Sequence, residues 1–192
     1  MKVNKIVIAL NEKIFLEFCK TLDIKNIKTN EDIIIGEKNR ENSEGEEESL
    51  IIVHGKDIQK TVDFVKSTFI YIEKIILANS ANILSNGELQ KGDVIIPNTF
   101  LGNNGKTIFV ENMIGEDYDL NNFGLALNGM CVENNTSNKE VVDEFLADVT
   151  SENIFLYLQL LQSEELLEKT IVTLQIGEEN YTNLIAVSDM SL

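Results

Sequence analysis

The stretch KIILANSANILSNGELQKGDVIIP, residues 74–97, decides the fold class of this chain. Its apolar run at 75–78 gives way to small and amide residues at 79–82, and an apolar run returns at Val94. This pattern predicts a buried strand, a loop of small residues and a second strand. Ligands of parallel α/β sheets bind beyond the carboxyl ends of the strands, so the loop is either part of a ligand site or a plain connection.

Strand-like and helix-like patterns alternate on both sides of this stretch. An apolar run at 5–10 leads into apolar positions at helical spacing, and a helical pattern at 58–72 leads into the strand that follows. Short strands are predicted at 99–101 and 107–110, with an Asn-Asn-Gly turn between them. The alternation predicts a three-layer α/β sandwich with a mixed central sheet and helices on both faces, built as a single domain over residues 1–192.

Further elements are predicted before and after these. Apolar runs at 33–36 and 50–53 flank a glutamate-rich segment, which predicts a hairpin with a polar loop. A buried strand is predicted at 123–127, and helices are predicted at 137–146 and 150–168.

Two segments compete for the place of the last strand. The alternation in TIVTLQI favours residues 170–176, followed by a helix that begins near Tyr181. The alternative takes residues 184–187 as the last strand, directly before Ser188 and Asp189.

The charge of the chain limits its partners. With 32 acidic and 16 basic residues its net charge is −16, so its surface repels nucleic acid and anionic membranes. No apolar run approaches the roughly 18 residues of a spanning helix, and the amino-terminal residues lack a signal-peptide pattern. We expect a cytoplasmic protein that binds neither nucleic acid nor a membrane.

The metal-binding residue types are few and scattered. Cys19 and Cys131 lie among apolar residues and are too few for a disulfide framework. His54, the single histidine, ends an apolar run and is predicted to be a structural residue. This set offers no zinc or iron–sulfur constellation, so we expect no metal site and no cofactor.

Several segments resemble motifs of the nucleoside phosphorylase superfamily, most closely those of the 5′-methylthioadenosine/S-adenosylhomocysteine nucleosidases. Residues 78–83 and 89–95 match the order and spacing of the family's Thr-Gly-Ser-Ala-Gly-Gly and Leu-Lys-x-Gly-Asp-x-Val, although all three loop glycines are replaced. Residues 53–56 lie in the register of Gly-Ile-Gly-Lys. Residues 124–132 and 147–153 resemble Gly-Leu-x-x-Ser-Gly-Asp-x-Phe and Val-Asp-Met-Glu-Ser-Ala-Ala. The resemblance implies a phosphorylase/nucleosidase-like fold, a homodimer and cleavage of the N-glycosidic bond of a methylthioadenosine-like purine nucleoside.

The resemblance also assigns two catalytic acids. The family's Ala-Met-Glu-Glu-Glu turn, whose third glutamate activates the attacking water, corresponds to residues 9–13. An ungapped match places Lys13 at that glutamate, whereas Glu12 takes the role if the turn shifts by one residue; otherwise Glu12 is an acid that favours the helix dipole. The second acid, the aspartate of a Ser-Asp pair, corresponds to Glu178 or, with the alternative last strand, to Asp189.

The substrate-binding positions follow from the same motifs. The implied contacts are Ser80 in the small-residue loop, Val132 and Glu133 at the purine, and Val149 and Thr150 at the ribose. Val132 replaces an aromatic ring and forfeits a stacking interaction of about 1–3 kcal/mol. Thr150 replaces a carboxylate that would accept two ribose hydroxyls, a role that Glu152 could also take.

Two functions remain open on the sequence. The first is a hydrolase or phosphorylase that acts on a purine nucleoside. The second is a catalytically impaired relative that binds a nucleoside or a protein partner, which Lys13, Thr150 and the lost loop glycines favour. The sequence does not separate hydrolysis from phosphorolysis.

Overall fold

A computed structural model describes residues 3–41, 45–84, 89–111, 125–127, 129–133, 148–177 and 180–192. These residues contain twelve strands and four α-helices. The strands are β1 Val3–Ala9, β2 Asn26–Asn30, β3 Ile33–Glu41, β4 Glu47–Gly55, β5 Ile72–Ile83, β6 Val94–Ile96, β7 Thr99–Leu101, β8 Thr107–Phe109, β9 Leu125–Leu127, β10 Met130–Glu133, β11 Val149–Ser151 and β12 Thr170–Ile176. The helices are α1 Glu12–Thr21, α2 Ile58–Thr68, α3 Ile154–Ser163 and α4 Thr182–Ser191. None of these four helices is long and apolar enough to cross a membrane.

Strand β5 joins the two parts of one mixed sheet. Its residues 72–78 lie parallel to β1 on one side, and its residues 75–81 lie parallel to β12 on the other. Its last two residues pair antiparallel with β11, which continues through β10 and β7 to β8. On the far side of β1 the order continues through β4, β3 and β2, of which only β4 is parallel to its neighbour β1. The predicted mixed central sheet is confirmed.

Helices cover both faces of the part of the sheet around β1 and β5. Val7 points to the face where α1 and α4 pack, with Phe15 and Leu184 in the same buried cluster. Ile6 points to the opposite face, in the cluster that includes Val62 of α2 and residues of α3. Successive strand residues face opposite sides, and both faces of β1 are buried, as expected for an inner parallel strand. The three-layer α/β sandwich predicted from the sequence is therefore confirmed.

The ends of the elements are fixed by local hydrogen bonds. Asn11 caps α1, its side-chain oxygen accepting a hydrogen bond from the Ile14 amide at 2.9 Å, and Asp57 caps α2 in the same way. The ring nitrogen Nδ1 of buried His54 lies 2.9 Å from the carbonyl oxygen of Ala9. This bond joins the ends of β4 and β1, so the prediction of a structural histidine is confirmed.

The prediction of a loop at residues 79–82 is wrong, because β5 continues without a break to Ile83. Asn79, Ser80 and Ala81 are paired to β12, and Asn82 is paired to β11. The neighbouring strands supply backbone partners that no local pattern reveals, and they override the low strand propensity of these side chains.

Other boundaries also differ from the prediction. Strands β3 and β4 run far into the glutamate-rich segment that we expected to be a loop, and β2 was not predicted. The helix expected from Thr150 begins only at Ile154, because Val149–Ser151 forms strand β11. The last strand is confirmed as Thr170–Ile176, followed by α4. The predicted helix at 137–146 lies outside the described residues.

A charged cluster ties α4 to the amino-terminal ends of β1 and β4. Buried Glu48 pairs with Lys5 at 2.8 Å and with Arg40, the only arginine of the chain. Arg40 Nη1 also donates a hydrogen bond to Asp189 Oδ1 at 2.7 Å. Burial alone would raise the pKa of Glu48, but the hydrogen bonds and charges of Lys5 and Arg40 outweigh it and lower that pKa.

We expect Glu48→Gln to lower the free energy of unfolding by about 2 kcal/mol near neutral pH, because Lys5 then loses its charged partner and Arg40 keeps only Asp189. A carboxylate whose pKa is lowered on folding stabilises the protein above its ordinary value of 4.5 and loses that contribution as the pH falls through the folded value. The difference in the free energy of unfolding between wild type and Glu48→Gln should therefore decrease as the pH falls. Urea unfolding measured over a pH series gives this difference.

Glu47→Gln is the matched control, since Glu47 is the exposed neighbour in the same strand. It should change the free energy of unfolding by no more than about 0.5 kcal/mol at any pH. If the loss of unfolding free energy caused by Glu48→Gln stayed constant down to about pH 3, the assignment of a lowered pKa to Glu48 would be contradicted.

Candidate functional site

A cavity of about 410 Å³ lies at the carboxyl ends of β1 and β11 and beside the last residues of β5. The turn from β1 into α1, the end of β5, the connection from β11 into α3 and the start of α4 all contribute to its wall. This is the edge at which ligands of α/β sheets bind.

Asn79 of β5 is the polar centre of the cavity wall. Its side chain is only 6% exposed. Its Nδ2 donates hydrogen bonds to Ser151 Oγ at 3.0 Å and to the carbonyl oxygen of Glu152 at 3.1 Å. Ser151 in turn donates to the carbonyl oxygen of Ser80 at 2.7 Å. These bonds hold the end of β11 against the end of β5.

Asn11 extends this network to β1. Its Nδ2 lies 3.4 Å from Asn79 Oδ1, while its own Oδ1 caps α1. The ends of β1, β5 and β11 are thus joined through side-chain amides and one hydroxyl, all of which line the cavity. Buried polar groups that are satisfied in this way specify one arrangement of the surrounding backbone.

Lys13, rather than Glu12, lines the cavity. The Lys13 ammonium lies 5.4 Å from the centre of the Tyr181 ring, which forms another part of the wall. Glu12 is exposed in the first turn of α1 and is not among the residues that form the described wall. Of the described residues that line the cavity, Lys13 and Glu152 are the charged ones.

The predicted substrate-binding residues divide into two groups. Ser80 and Thr150 line the cavity. Val149 is fully buried in the core between the sheet and α3, and Val132 is buried against Leu101. Of the five predicted substrate-binding residues, Ser80 and Thr150 therefore lie in the described cavity wall, whereas Val132, Glu133 and Val149 do not.

Glu133 is the last residue of β10, and its carboxylate contacts the beginning of α3. Its two carboxylate oxygens accept hydrogen bonds from the backbone amides of Asn153 at 2.6 Å and Phe155 at 3.0 Å. Burial raises the pKa of Glu133, and these two amide bonds oppose the rise. Asn153, which has a left-handed backbone with φ of 63°, lines both the cavity and a second depression of about 290 Å³ that contains Glu133. The carboxylate thus positions the helix that borders the cavity.

Only one of the two candidate positions for the second acid belongs to the described residues. Glu178 lies outside the described residues. Asp189 belongs to the charged cluster with Arg40, at the opposite end of the strands from the cavity. No group of three or more His, Cys, Asp or Glu side chains in the described part of the chain could hold a metal ion.

Several wall residues were not predicted from the sequence, namely Asn11, Asn79, Asn82, Ser151 and Tyr181. Asn79 and Asn82 belong to the small-residue stretch, whose place after an apolar run was the available signal. Tyr181 had only an apolar spacing, which indicates a core residue as readily as a cavity wall.

We expect Asn79→Asp to lower the free energy of unfolding by about 2–4 kcal/mol. Aspartate cannot donate to Ser151 Oγ or to the carbonyl oxygen of Glu152, and it places a buried negative charge beside both oxygens. Asn82→Asp makes the same chemical change three residues later, at an exposed position of the same strand. This control should change the free energy of unfolding by less than about 0.5 kcal/mol. Equal losses in urea unfolding of the two variants would contradict the role of Asn79.

Comparison with solved structures shows where this architecture occurs. The chain superposes on the futalosine hydrolase of Helicobacter pylori with a TM-score of 0.67 and 13% identity, covering 100% of this chain and 95% of that one. It superposes on the 5′-methylthioadenosine/S-adenosylhomocysteine nucleosidase of Neisseria meningitidis, solved with methylthio-immucillin-A, with a TM-score of 0.68, 13% identity and coverages of 98% and 94%. The superposition on the 5′-methylthioadenosine nucleosidase of Arabidopsis thaliana has a TM-score of 0.67 and 9% identity, and it covers 99% of this chain and 91% of that one.

Comparison of the amino-acid sequence with protein families and curated proteins finds no significant match. The superpositions on solved structures confirm, at the level of the fold, the resemblance that the motifs indicated. The chain has the fold of these nucleosidases.

Proposed function

We propose that this protein is a divergent, nucleosidase-like protein that binds a purine nucleoside in the cavity and cleaves the N-glycosidic bond of methylthioadenosine-like nucleosides slowly. The observation that carries the proposal is a nucleoside-sized polar cavity at the ligand-binding edge of the sheet, with Lys13 where the resembling nucleosidases carry a catalytic carboxylate.

Size and chemistry of the cavity support a nucleoside. Small-molecule sites commonly enclose about 300–1,000 Å³, and the cavity falls in that range at about 410 Å³. Beyond the Asn11–Asn79 network, the wall includes the amides of Asn82 and Asn153 and the hydroxyls of Ser80 and Thr150. Such groups can both donate and accept, which suits the ribose hydroxyls and the purine edge. The shared fold with proteins named as nucleosidases adds to this support.

The charges of the cavity support slow cleavage. Breaking an N-glycosidic bond leaves positive charge on the sugar, which a carboxylate stabilises, and requires an activated water and a proton for the leaving purine. Lys13 brings a positive charge towards that sugar and opposes the transition state by on the order of a few kcal/mol at moderate dielectric. Thr150 cannot replace a carboxylate that would hold the ribose hydroxyls.

Three glutamates stay candidates for the missing carboxylate functions. Glu152 lines the cavity and is a candidate for the ribose. We propose Glu178, beyond the end of β12, as the proton donor to the purine. Glu12 can serve only if the first turn of α1 rearranges on ligand binding. The alternative function, a nucleoside-binding or protein-binding relative without catalysis, is favoured by Lys13 itself.

We expect the wild type to bind a purine nucleoside but to cleave methylthioadenosine at far less than about 1 per second, the lower end of ordinary enzyme rates. Ligand-induced melting with methylthioadenosine, S-adenosylhomocysteine, adenosine and inosine tests binding, and mass spectrometry of released purine tests cleavage. Ordinary turnover by the wild type would mean that the catalytic carboxylates have been assigned to the wrong positions.

The double variant Lys13→Glu, Thr150→Glu should cleave methylthioadenosine faster than the wild type, because it returns both carboxylates to the cavity wall. Each single variant should gain less than the double variant, since activation of water and stabilisation of the sugar are both required. Release of adenine measured under single-turnover conditions gives the comparison. A double variant no faster than the wild type would show that these two positions do not limit catalysis.

We also propose that the protein is a cytoplasmic homodimer that buries the end of β5. Ile83 and Leu84, both more than one-third exposed there, support this assignment.

Leu84→Lys should shift the protein from dimer to monomer in light scattering, because a charge resists burial in an apolar contact. Ile70→Lys, at an equally apolar exposed position just before β5, is the control and should leave the mass unchanged. A monomeric wild type at high concentration would remove this proposal.

A further inference from the structure

Gln175 of β12 is a polar side chain in the interior, with an exposure of only 1%. Its Oε1 accepts a hydrogen bond from the backbone amide of Leu184 at 3.1 Å, and its Nε2 donates to the carbonyl oxygen of Asn180. One side-chain amide is thus bonded to the chain just before Tyr181 and again in the first turn of α4. Because buried polar groups are costly when they lose their partners, these two bonds specify the local backbone.

Helix α4 receives its amino-terminal cap from this distant strand. A tyrosine, Tyr181, occupies the N-cap position, where Ser, Thr, Asp or Asn usually accepts a hydrogen bond from an amide of the first turn. The amide of Leu184, three residues later, is one of those that a helix cannot satisfy by itself. Gln175 supplies the acceptor for it from β12.

The start of α4 matters to the cavity because Tyr181 forms part of the wall. The ring is 2% exposed and belongs to the buried cluster that also contains Phe15 and Leu184. Apolar packing is non-directional, whereas hydrogen bonds fix the backbone that carries the ring. The Lys13 ammonium lies 5.4 Å from the centre of this ring, so a shift of Tyr181 changes two parts of the wall.

We propose that Gln175 is a positioning residue of the candidate site, which fixes the start of α4 and thereby the place of Tyr181 in the cavity wall. The proposal rests on the proposed function and adds to it a residue outside the described wall on which ligand affinity depends. When the start of α4 is released, only a fraction of the molecules keeps the binding arrangement, and the apparent affinity falls by that fraction.

The variant Gln175→Met removes both hydrogen bonds at a similar side-chain length. We expect it to weaken the binding of methylthioadenosine in isothermal titration by roughly tenfold, as when about one-tenth of the molecules keep the binding arrangement. If Gln175→Met does not fold, Gln175→Asn, which keeps the amide on a shorter side chain, should give a smaller loss of affinity in the same direction.

The matched control is Thr173→Val, two residues earlier in the same strand. The buried hydroxyl of Thr173 is hydrogen-bonded to Ser188 Oγ at 2.8 Å, about two turns further along α4. Thr173→Val and Gln175→Met should each lower the Tm by at least about 2 °C, because each removes a buried hydrogen bond between β12 and α4. Only Gln175→Met should weaken the binding of methylthioadenosine.

Near-ultraviolet circular dichroism reports the packing of Tyr181 without any ligand, since the chain has four tyrosines and no tryptophan. The difference between the spectra of wild type and Tyr181→Phe gives the contribution of this ring. Gln175→Met should lose most of that contribution and Thr173→Val should keep it. A spectrum of Gln175→Met equal to that of the wild type would overturn the proposal.

The titrations separate this inference from the proposed function. If the wild type and Gln175→Met bind methylthioadenosine equally well, the positioning role is rejected and the nucleoside site is retained. Equal losses of affinity in Gln175→Met and Thr173→Val would also reject it, because the loss would then follow stability alone. If folded wild type does not bind methylthioadenosine, the proposed function is rejected together with the effect of Gln175 on affinity.

Discussion

The structure depends on one strand, β5, that is hydrogen-bonded to three others, β1, β12 and β11. Residues 72–78 of β5 pair with β1 and residues 75–81 pair with β12, and Asn82 and Ile83 then pair with β11. Because the same strand belongs to both parts of the sheet, the geometry of either part constrains the other. The side chain of Asn79, near this transition, adds direct bonds to β11 and to the turn after β1. The cavity exists where these three strand ends are held together.

The architecture could be predicted from the sequence because its signals are periodic. Apolar alternation and helical spacing locate β1, α1, α2 and β12, and the resemblance of short motifs adds the family of folds. The continuation of β5 through small polar residues could not be predicted, because its cause is pairing with β12, a strand distant in the sequence. The extension of β3 into acidic residues has a similar origin, since Arg40 there pairs with Glu48 across the hairpin. Local propensity is a weak guide where distant partners supply the hydrogen bonds.

The candidate site was predictable in position more than in chemistry. A turn after β1, the residues at the end of β5 and the segment around Thr150 were all expected at the ligand edge, and they do line the cavity. Sequence alone could not decide whether Glu12 or Lys13 faces the ligand, because one residue along a helix changes the direction of a side chain by about 100°. Nor could it show that Glu133 is engaged with backbone amides, since that bond joins β10 to α3. The sequence marks the elements that meet, and the packing decides which of their side chains point inward.

The pairing of β5 with β12 also bears on how the chain reaches this state during synthesis. Ile75 of β5 is paired with Thr170 of β12, about 95 residues later, so an inner strand must wait for its second neighbour while the ribosome makes the intervening chain. At about 5–20 residues per second this interval lasts roughly 5–20 seconds. During it, one edge of a strand as apolar as IILA lacks its native partner, and such edges are where chains pair wrongly with one another. The strand that organises the finished molecule is therefore also exposed to incorrect pairing while the rest of the chain is being synthesised.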